Sequence, residues 1–362
     1  MQIDIKNLSI KYYLEELLML GISVYFKDLD CKYLEKAAEL GAKYVFTSLH
    51  IPEEDYSDLD EKMTIFLECC NRLRLEIVPD ISPVTFEKLN IEKNDYDSLK
   101  RLGFKALRLD YGFDDFDTIK MLLKDFCLLL NASVVNGEYI EKAKEAGVDF
   151  TKIVLTHNFY PRNNTGLGIK YFNEKNKDFH KHGLTIQAFI PGDDLKRFPL
   201  YEGLPTLERH RSMHPYVAAV ELIEKCGVDD VLIGDSKAKI ETLEYISTYM
   251  KDKTMTIKAH FEKEYEYFYE NEYVCRKDLS ESVLRIITPR VPGVKPFNNG
   301  YRRKGSITMD NELIGRYSGE VQLLKKDFEC DARVNVIGFI HPEFIELLDF
   351  IDRDTKIRFV RL

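Results

Sequence analysis

The sequence contains no Cys-x-x-Cys spacing among its seven cysteines, which excludes the metal ribbons and dithiol redox centres built on that spacing. An odd number of cysteines scattered through a long chain reads as reduced thiols, and the adjacent Cys69 and Cys70 fall in a helical pattern suited to core packing. Long apolar runs are missing too. Leu14 to Val24 is broken by Glu15 and Glu16, so no membrane span is expected. The amino terminus carries Asp4 and lacks the charged, apolar, small order of a signal peptide, which predicts a cytoplasmic protein. There is no basic surplus either. A net charge of −9 argues against nucleic acid as a partner, yet leaves room for an anionic small substrate if the basic groups gather locally. No His-x-His or Glu-x-x-His pair stands near a strand end, and neither a cofactor nor a bound metal is expected.

What is present is a soluble globular composition, 44% hydrophobic and 31% charged, in a chain of 362 residues that suits one large domain and a smaller one. Eight short apolar runs read as strands: Ile22 to Phe26, Tyr44 to Phe46, Leu75 to Val78, Ala106 to Leu109, Phe126 to Leu130, Ile153 to Leu155, Leu184 to Phe189 and Val231 to Ile233. Helical patterns fill most of the intervals. This rhythm predicts a closed parallel (β/α)8 TIM barrel over residues 1–250. An open doubly wound sheet competes, but it often places glycines after its first strand, where this chain has Phe26-Lys27-Asp28-Leu29-Asp30. Beyond Met250, alternating segments such as Thr254 to Ala259 and Gly305 to Met309, with turn signals at Pro292-Gly293 and Asn298-Asn299-Gly300, predict a second, mainly β domain over 251–362.

In such a barrel the carboxyl ends of the strands converge on one face, which collects Ser48, His50, Asp80, Asp110, Asn131, His157, Asn158, Arg162, Gln187, Asp193 and Asp235 into one expected pocket. Recurring carboxylates suit acid/base work on a C–O bond. Asp80 and Asp110 would end neighbouring strands roughly 5 Å apart, near enough to raise one pKa and keep one acid protonated. The plainer reading has Asp80 capping a turn or pairing with Arg108. A divalent metal on His50, Asp80, Asp110, His157 and Asp235 is another alternative. The loop from Tyr160 to Gly168 enters a helix near Ile169, so Arg162, Thr165 and the Gly166 amide are candidates for a phosphate. Glu208, His210 and Arg211, in the excursion between strands seven and eight, form a second polar group that reaches the pocket or starts a solvated helix.

Taken together, Phe46-Thr47-Ser48-Leu49-His50-Ile51-Pro52-Glu53, Asp80-Ile81-Ser82, Leu107 to Gly112, Asn131-Ala132-Ser133, His157 to Arg162, Phe172 to Asn176, Pro191-Gly192-Asp193, Gly203 to Arg211, Gly305 to Asn311 and Gly315 to Gln322 resemble the bacterial 6-phospho-N-acetylmuramidase family. The resemblance covers nearly the whole chain. It implies an amino-terminal barrel, a cyclophilin-like carboxyl-terminal domain, and an exo-acting glycosidase of peptidoglycan recycling. The implied substrate is N-acetylmuramic acid 6-phosphate linked β-1,4 to N-acetylglucosamine. Some relatives follow the first strand with Tyr-Pro-Glu where this chain has Tyr25-Phe26-Lys27, so an acid there is not essential here. The expected roles are Asp110 as general acid and Asp80 as nucleophile or orienter of the 2-acetamido group, with Asp235 and Glu208 in reserve. Arg162, Thr165, Gly166 and Arg211 would meet the phosphate and lactyl carboxylate, while Asn131, His157 and Asn158 bond the sugar. A metal-dependent aldolase, isomerase or hydrolase and a non-enzymatic peptide-binding module are the alternatives, and a homo-oligomer is left open.

Overall fold

The computed structural model describes residues 18–49, 59–113 and 115–362, which divide into two compact units at 247/248. His50 lies outside the described residues. The first unit is a closed parallel barrel of β1 (Leu20–Ser23), β2 (Ala42–Ser48), β3 (Glu76–Ile81), β4 (Ala106–Leu109), β5 (Cys127–Asn131), β6 (Ile153–Thr156), β7 (Thr185–Ile190) and β8 (Asp230–Ile233), with β8 closing onto β1. The first strand departs most from its expected bounds; β4 keeps them, and the others differ by one to three residues at one or both ends. Pairing stops at Ser23, and Phe26–Asp28 is a 3-10 turn. Tyr25 and Phe26 are apolar because they are buried by packing, Phe26 against Phe66 at 5.7 Å and Tyr25 with its hydroxyl on the Gly234 carbonyl at 2.7 Å. Burial alone does not make a strand.

The lumen is filled by alternate residues of the strands, among them Tyr44, Phe46, Val78, Ala106, Leu129, Val154, Phe189 and Leu232. Because side chains alternate faces with period two, this set fixes which polar residues also point inward: Ser48, Asp80, Arg108, Asn131 and Thr156 each stand two places beyond one of these core residues. Outer helices are placed by ordinary local signals. Asp30 caps Cys31–Glu39 by accepting from the Lys32 and Tyr33 amides, and Gly227 ends Pro215–Cys226 at φ 62°. No described helix is long and apolar enough to cross a membrane.

The second unit is a seven-stranded mixed sheet in the order β10-β15-β9-β14-β12-β13-β11. Its strands are β9 (Thr254–Phe261), β10 (Glu272–Val274), β11 (Val283–Ile286), β12 (Ser306–Asp310), β13 (Val321–Leu324), β14 (Val334–Ile340) and β15 (Lys356–Val360). Only β9 and β15 run parallel. The alternation legible in β9 and β12 is what lets one face of this sheet bury Ile257, Ile307 and their neighbours.

Candidate active site

At the carboxyl end of the barrel, Ser48, Asp80 and Arg108 stand in register on β2, β3 and β4. Arg108 donates from Nη1 to Asp80 Oδ1 at 2.6 Å, and the same nitrogen lies 3.6 Å from Asp110 Oδ1. Its Nη2 donates to Asn158 Oδ1. The side chains of Arg108 and Asp80 are 4% and 9% exposed, that of Asp110 27%. One buried guanidinium therefore gathers two carboxylates and an amide from β3, β4 and the end of β6. Both 2.6 Å and 3.6 Å are measured to one nitrogen, so the two oxygens are no farther apart than their sum, about 6 Å. Beside them the buried Ser48 hydroxyl and Arg108 Nε have no hydrogen-bond partner among the described residues, and such buried polar atoms are rare unless a ligand or solvent meets them.

Arg108 enters the sequence reading only in the plainer account of Asp80, as its ion-pair partner, and that pair is present; it is the first residue that reasoning from strand ends leaves out of the pocket. It was legible as an arginine at an inward position of a strand otherwise reading Ala-Leu-x-Leu, where a buried cation needs partners. Arg197 is the second. It is buried in the long excursion after β7, its guanidinium 4.9 Å from the Tyr25 ring and 5.9 Å from that of Phe159. Phe159 in turn packs edge-on against Phe46 and Phe189 at the top of the lumen.

Other expected pocket residues are bonded within the protein itself, some inside the barrel and some outside it. Asn158 faces inward, so its neighbour His157 must face outward. His157 is fully buried against the helix Ile169–Lys181, bonded to Asn176 Oδ1 at 2.7 Å and packed on Phe172, and desolvation pushes its pKa down to about 4. Gln187 sits inside β7 below the rim, donating to Asp230 at 2.9 Å and accepting from Thr156 at 2.9 Å. Asn131 ends β5, where its Oδ1 accepts from the Ser133 amide. Asp235 accepts three backbone amides, of Gly192, Arg197 and Leu204, and so fixes the excursion after β7. Burial pushes its carboxyl up while those amides oppose the shift. Asp193 accepts from the Lys239 amide and the Thr242 hydroxyl.

The loop chosen for phosphate is held by its own chain. Glu208 accepts the Asn164 and Gly166 amides at 2.9 and 2.8 Å and both a side nitrogen and a terminal nitrogen of Arg211 at 2.7 Å, which holds its carboxyl down at about 2. Arg211 also donates to the carbonyls of Gly203, Tyr160 and Arg162. The Thr165 hydroxyl donates to the Arg162 carbonyl, and a Cβ at Gly166 would lie 2.7 Å from the Glu208 amide. His210 is buried on Glu221 at 2.8 Å. Arg162 is exposed and has no carboxylate partner among the described residues. No group of three His, Cys, Asp or Glu side chains among the described residues is placed to hold a metal ion.

Comparison with known proteins adds the following. A family model described as 6-phospho-N-acetylmuramidase, N-terminal, matches residues 20–248, and one described as 6-phospho-N-acetylmuramidase, C-terminal, matches 254–360. Similar solved structures include a conserved protein of unknown function from Enterococcus faecalis, with 30% identity, TM-score 0.82, and coverage of 95% of this chain and 96% of that one. An uncharacterized protein from B. cereus is 26% identical with TM-score 0.75, covering 95% and 99%. No curated protein matches the chain.

Proposed function

Since the chain belongs to the 6-phospho-N-acetylmuramidase family, we propose that it hydrolyses the β-1,4 bond between N-acetylmuramic acid 6-phosphate and N-acetylglucosamine. The observation that carries this reading is the pair of carboxylates, Asp80 and Asp110, on one guanidinium at the open end of the barrel.

Arg108 touches Asp80 closely, at 2.6 Å, and Asp110 at longer range, 3.6 Å, so Asp80 is the more tightly held of the two. That asymmetry divides the work. Asp110, the more exposed, gives its proton to the glycosidic oxygen as the bond to the sugar C1 breaks and N-acetylglucosamine leaves. Asp80, held by Arg108, meets the positive charge developing at C1, either by bonding to it or by orienting the 2-acetamido oxygen that does so. Water then takes C1 and returns a proton to Asp110. A separation of at most about 6 Å between the two oxygens that face Arg108 accommodates the roughly 5–5.5 Å of retaining enzymes.

For the phosphate and lactyl carboxylate, the cations in reach of this reading are Arg162 and Arg197. Glu208, Arg211, Thr165 and Gly166 serve by holding the loop that carries Arg162. Asn158 and Asn131 supply polar contacts at the rim. The reaction belongs to cytoplasmic recycling of peptidoglycan fragments. Incubating the protein with phosphorylated and unphosphorylated muramyl disaccharides tests this. Release of N-acetylglucosamine from the phosphorylated compound is expected, and release from neither would overturn it.

A further inference from the structure

The segment Gly315 to Gln322 stands out in the sequence, yet it lies in the second unit and the hydrolytic chemistry above does not use it. Its Glu320, just before β13, has a side chain only 11% exposed, and three guanidiniums turn toward it: Arg276 at 3.7 Å, Arg285 at 3.8 Å and Arg290 at 3.3 Å. The segment is shaped to bring them there. Gly319 has φ +86° and approaches so closely that a Cβ would lie 2.2 Å from the Val291 amide, while the Ser318 hydroxyl donates to the Val291 carbonyl at 2.9 Å. Arg290 is thereby fixed beside Glu320.

Ordinary ion pairing accounts for the contacts to Asp278, where Arg276 donates at 2.9 and 3.1 Å, but not for those to Glu320. Charge-assisted bonds between guanidinium and carboxylate run at about 2.7–2.9 Å, so all three contacts to Glu320 are slack. The carboxylates are also too few. Asp278 takes Arg276 and Arg285, and Glu320 is shared. A fourth guanidinium, Arg316, lies 5.0 Å from the Tyr317 ring that Arg290 also approaches, at 5.3 Å. Arg276 and Arg290 border a cavity of about 420 Å³ that Lys277, Asp278, Glu320 and the apolar Ile286 and Ile287 also line. Three cations, Arg276, Lys277 and Arg290, against two carboxylates, Asp278 and Glu320, leave a surplus of one positive charge on the cavity these residues line. A net positive lining suits an anion, and planar guanidinium forks match the oxygens of a phosphate monoester.

We infer that this cavity is a second anion site, in the carboxyl-terminal unit, that binds a phosphate monoester through Arg276 and Arg290. Inorganic phosphate and glucose 6-phosphate, titrated calorimetrically into the full chain with glucose as control, test it. The double variant Arg276→Gln/Arg290→Gln should weaken one class of phosphate binding about tenfold or more. Arg290→Lys, which keeps the charge and loses the fork, should fall between. Asp278→Asn, which enlarges the surplus, should tighten the same class, a change that a cluster serving only to brace the sheet would not produce. A stronger response to glucose 6-phosphate than to inorganic phosphate assigns the apolar wall to the sugar. If the double variant and Asp278→Asn both titrate as the parent does, the site is overturned. Hydrolysis of the muramyl disaccharide by these variants is expected to match the parent, so failure here is separable from failure of the barrel reading.

Discussion

At Arg108 one side chain sets the state of two others. Burying a guanidinium costs several kcal/mol unless it is paired, and here Asp80 and Asn158 take its terminal nitrogens while Asp110 stands at longer range. Arg108→Met should therefore lower stability by about 3–5 kcal/mol, because it leaves Asp80 buried without its cation. Denaturant midpoints would read this directly, and adding Asp80→Leu should recover much of the loss while leaving no turnover. Asp110→Asn is expected to behave differently. The side chain is more exposed, so unfolding midpoints should stay near the parent's, while kcat/KM falls by several kcal/mol in transition-state stabilisation. Near-parent turnover of the phosphorylated disaccharide by Asp110→Asn would remove it as the acid.

On the scale of elements, the 160–168 loop and the 3-10 turn Glu208–Ser212 form one clamp. Glu208 holds two amides of the loop and Arg211 holds two of its carbonyls. The Glu208 carboxyl is held down at about 2 against an ordinary 4.5, so the stability it contributes is present above pH about 4.5 and is lost as pH falls through about 2. Glu208→Gln should flatten that acid limb in a series of thermal midpoints, and should raise KM more than it lowers kcat if the clamp positions Arg162. A parent-like acid limb in the variant would show that the clamp is not coupled to folding. The sequence made this loop legible as a polar, glycine-bearing turn before a helix. It could not reveal that the Gly166 amide and Arg211 are spent on Glu208, because those partners come from 42 and 3 residues away and only the fold sets them face to face.

On the scale of the whole molecule, one buried acid in the lumen couples folding to pH. Asp230 is fully buried, and desolvation pushes its carboxyl up to about 7 from 3.8, with Gln187 and the Met19 amide opposing. Its folded pKa is raised, so its contribution to stability is complete below pH about 3.8 and is lost as pH rises through about 7. Asp230→Asn should lessen the fall in denaturation midpoint between pH 5 and pH 8, and an unchanged slope would place the effect elsewhere. Thiol chemistry gives a second whole-molecule test. Five of the seven cysteines are buried, Cys31 is half-buried, and Cys330 is exposed. Burial pushes Cys127, Cys226 and Cys275 up to about 12. A thiol reagent at mildly alkaline pH should label Cys330 rapidly in the native protein and reach all seven only after denaturation.

The sequence by itself determined the kind of protein and the order of its parts. Apolar runs recurring every 20 to 47 residues demand burial on both faces, which a closed parallel barrel supplies, and a later alternation demands a sheet buried on one face. It also named Asp80, Asp110 and Asn158, since strand ends collect on one rim. Only the tertiary structure decided which of two adjacent polar residues looks into the lumen, sending Asn158 to Arg108 and His157 to a helix. The physical reason is that a strand's period of two fixes relative but not absolute facing. Shifting that assignment by one residue exchanges pocket for packing, and packing against distant residues is what chooses.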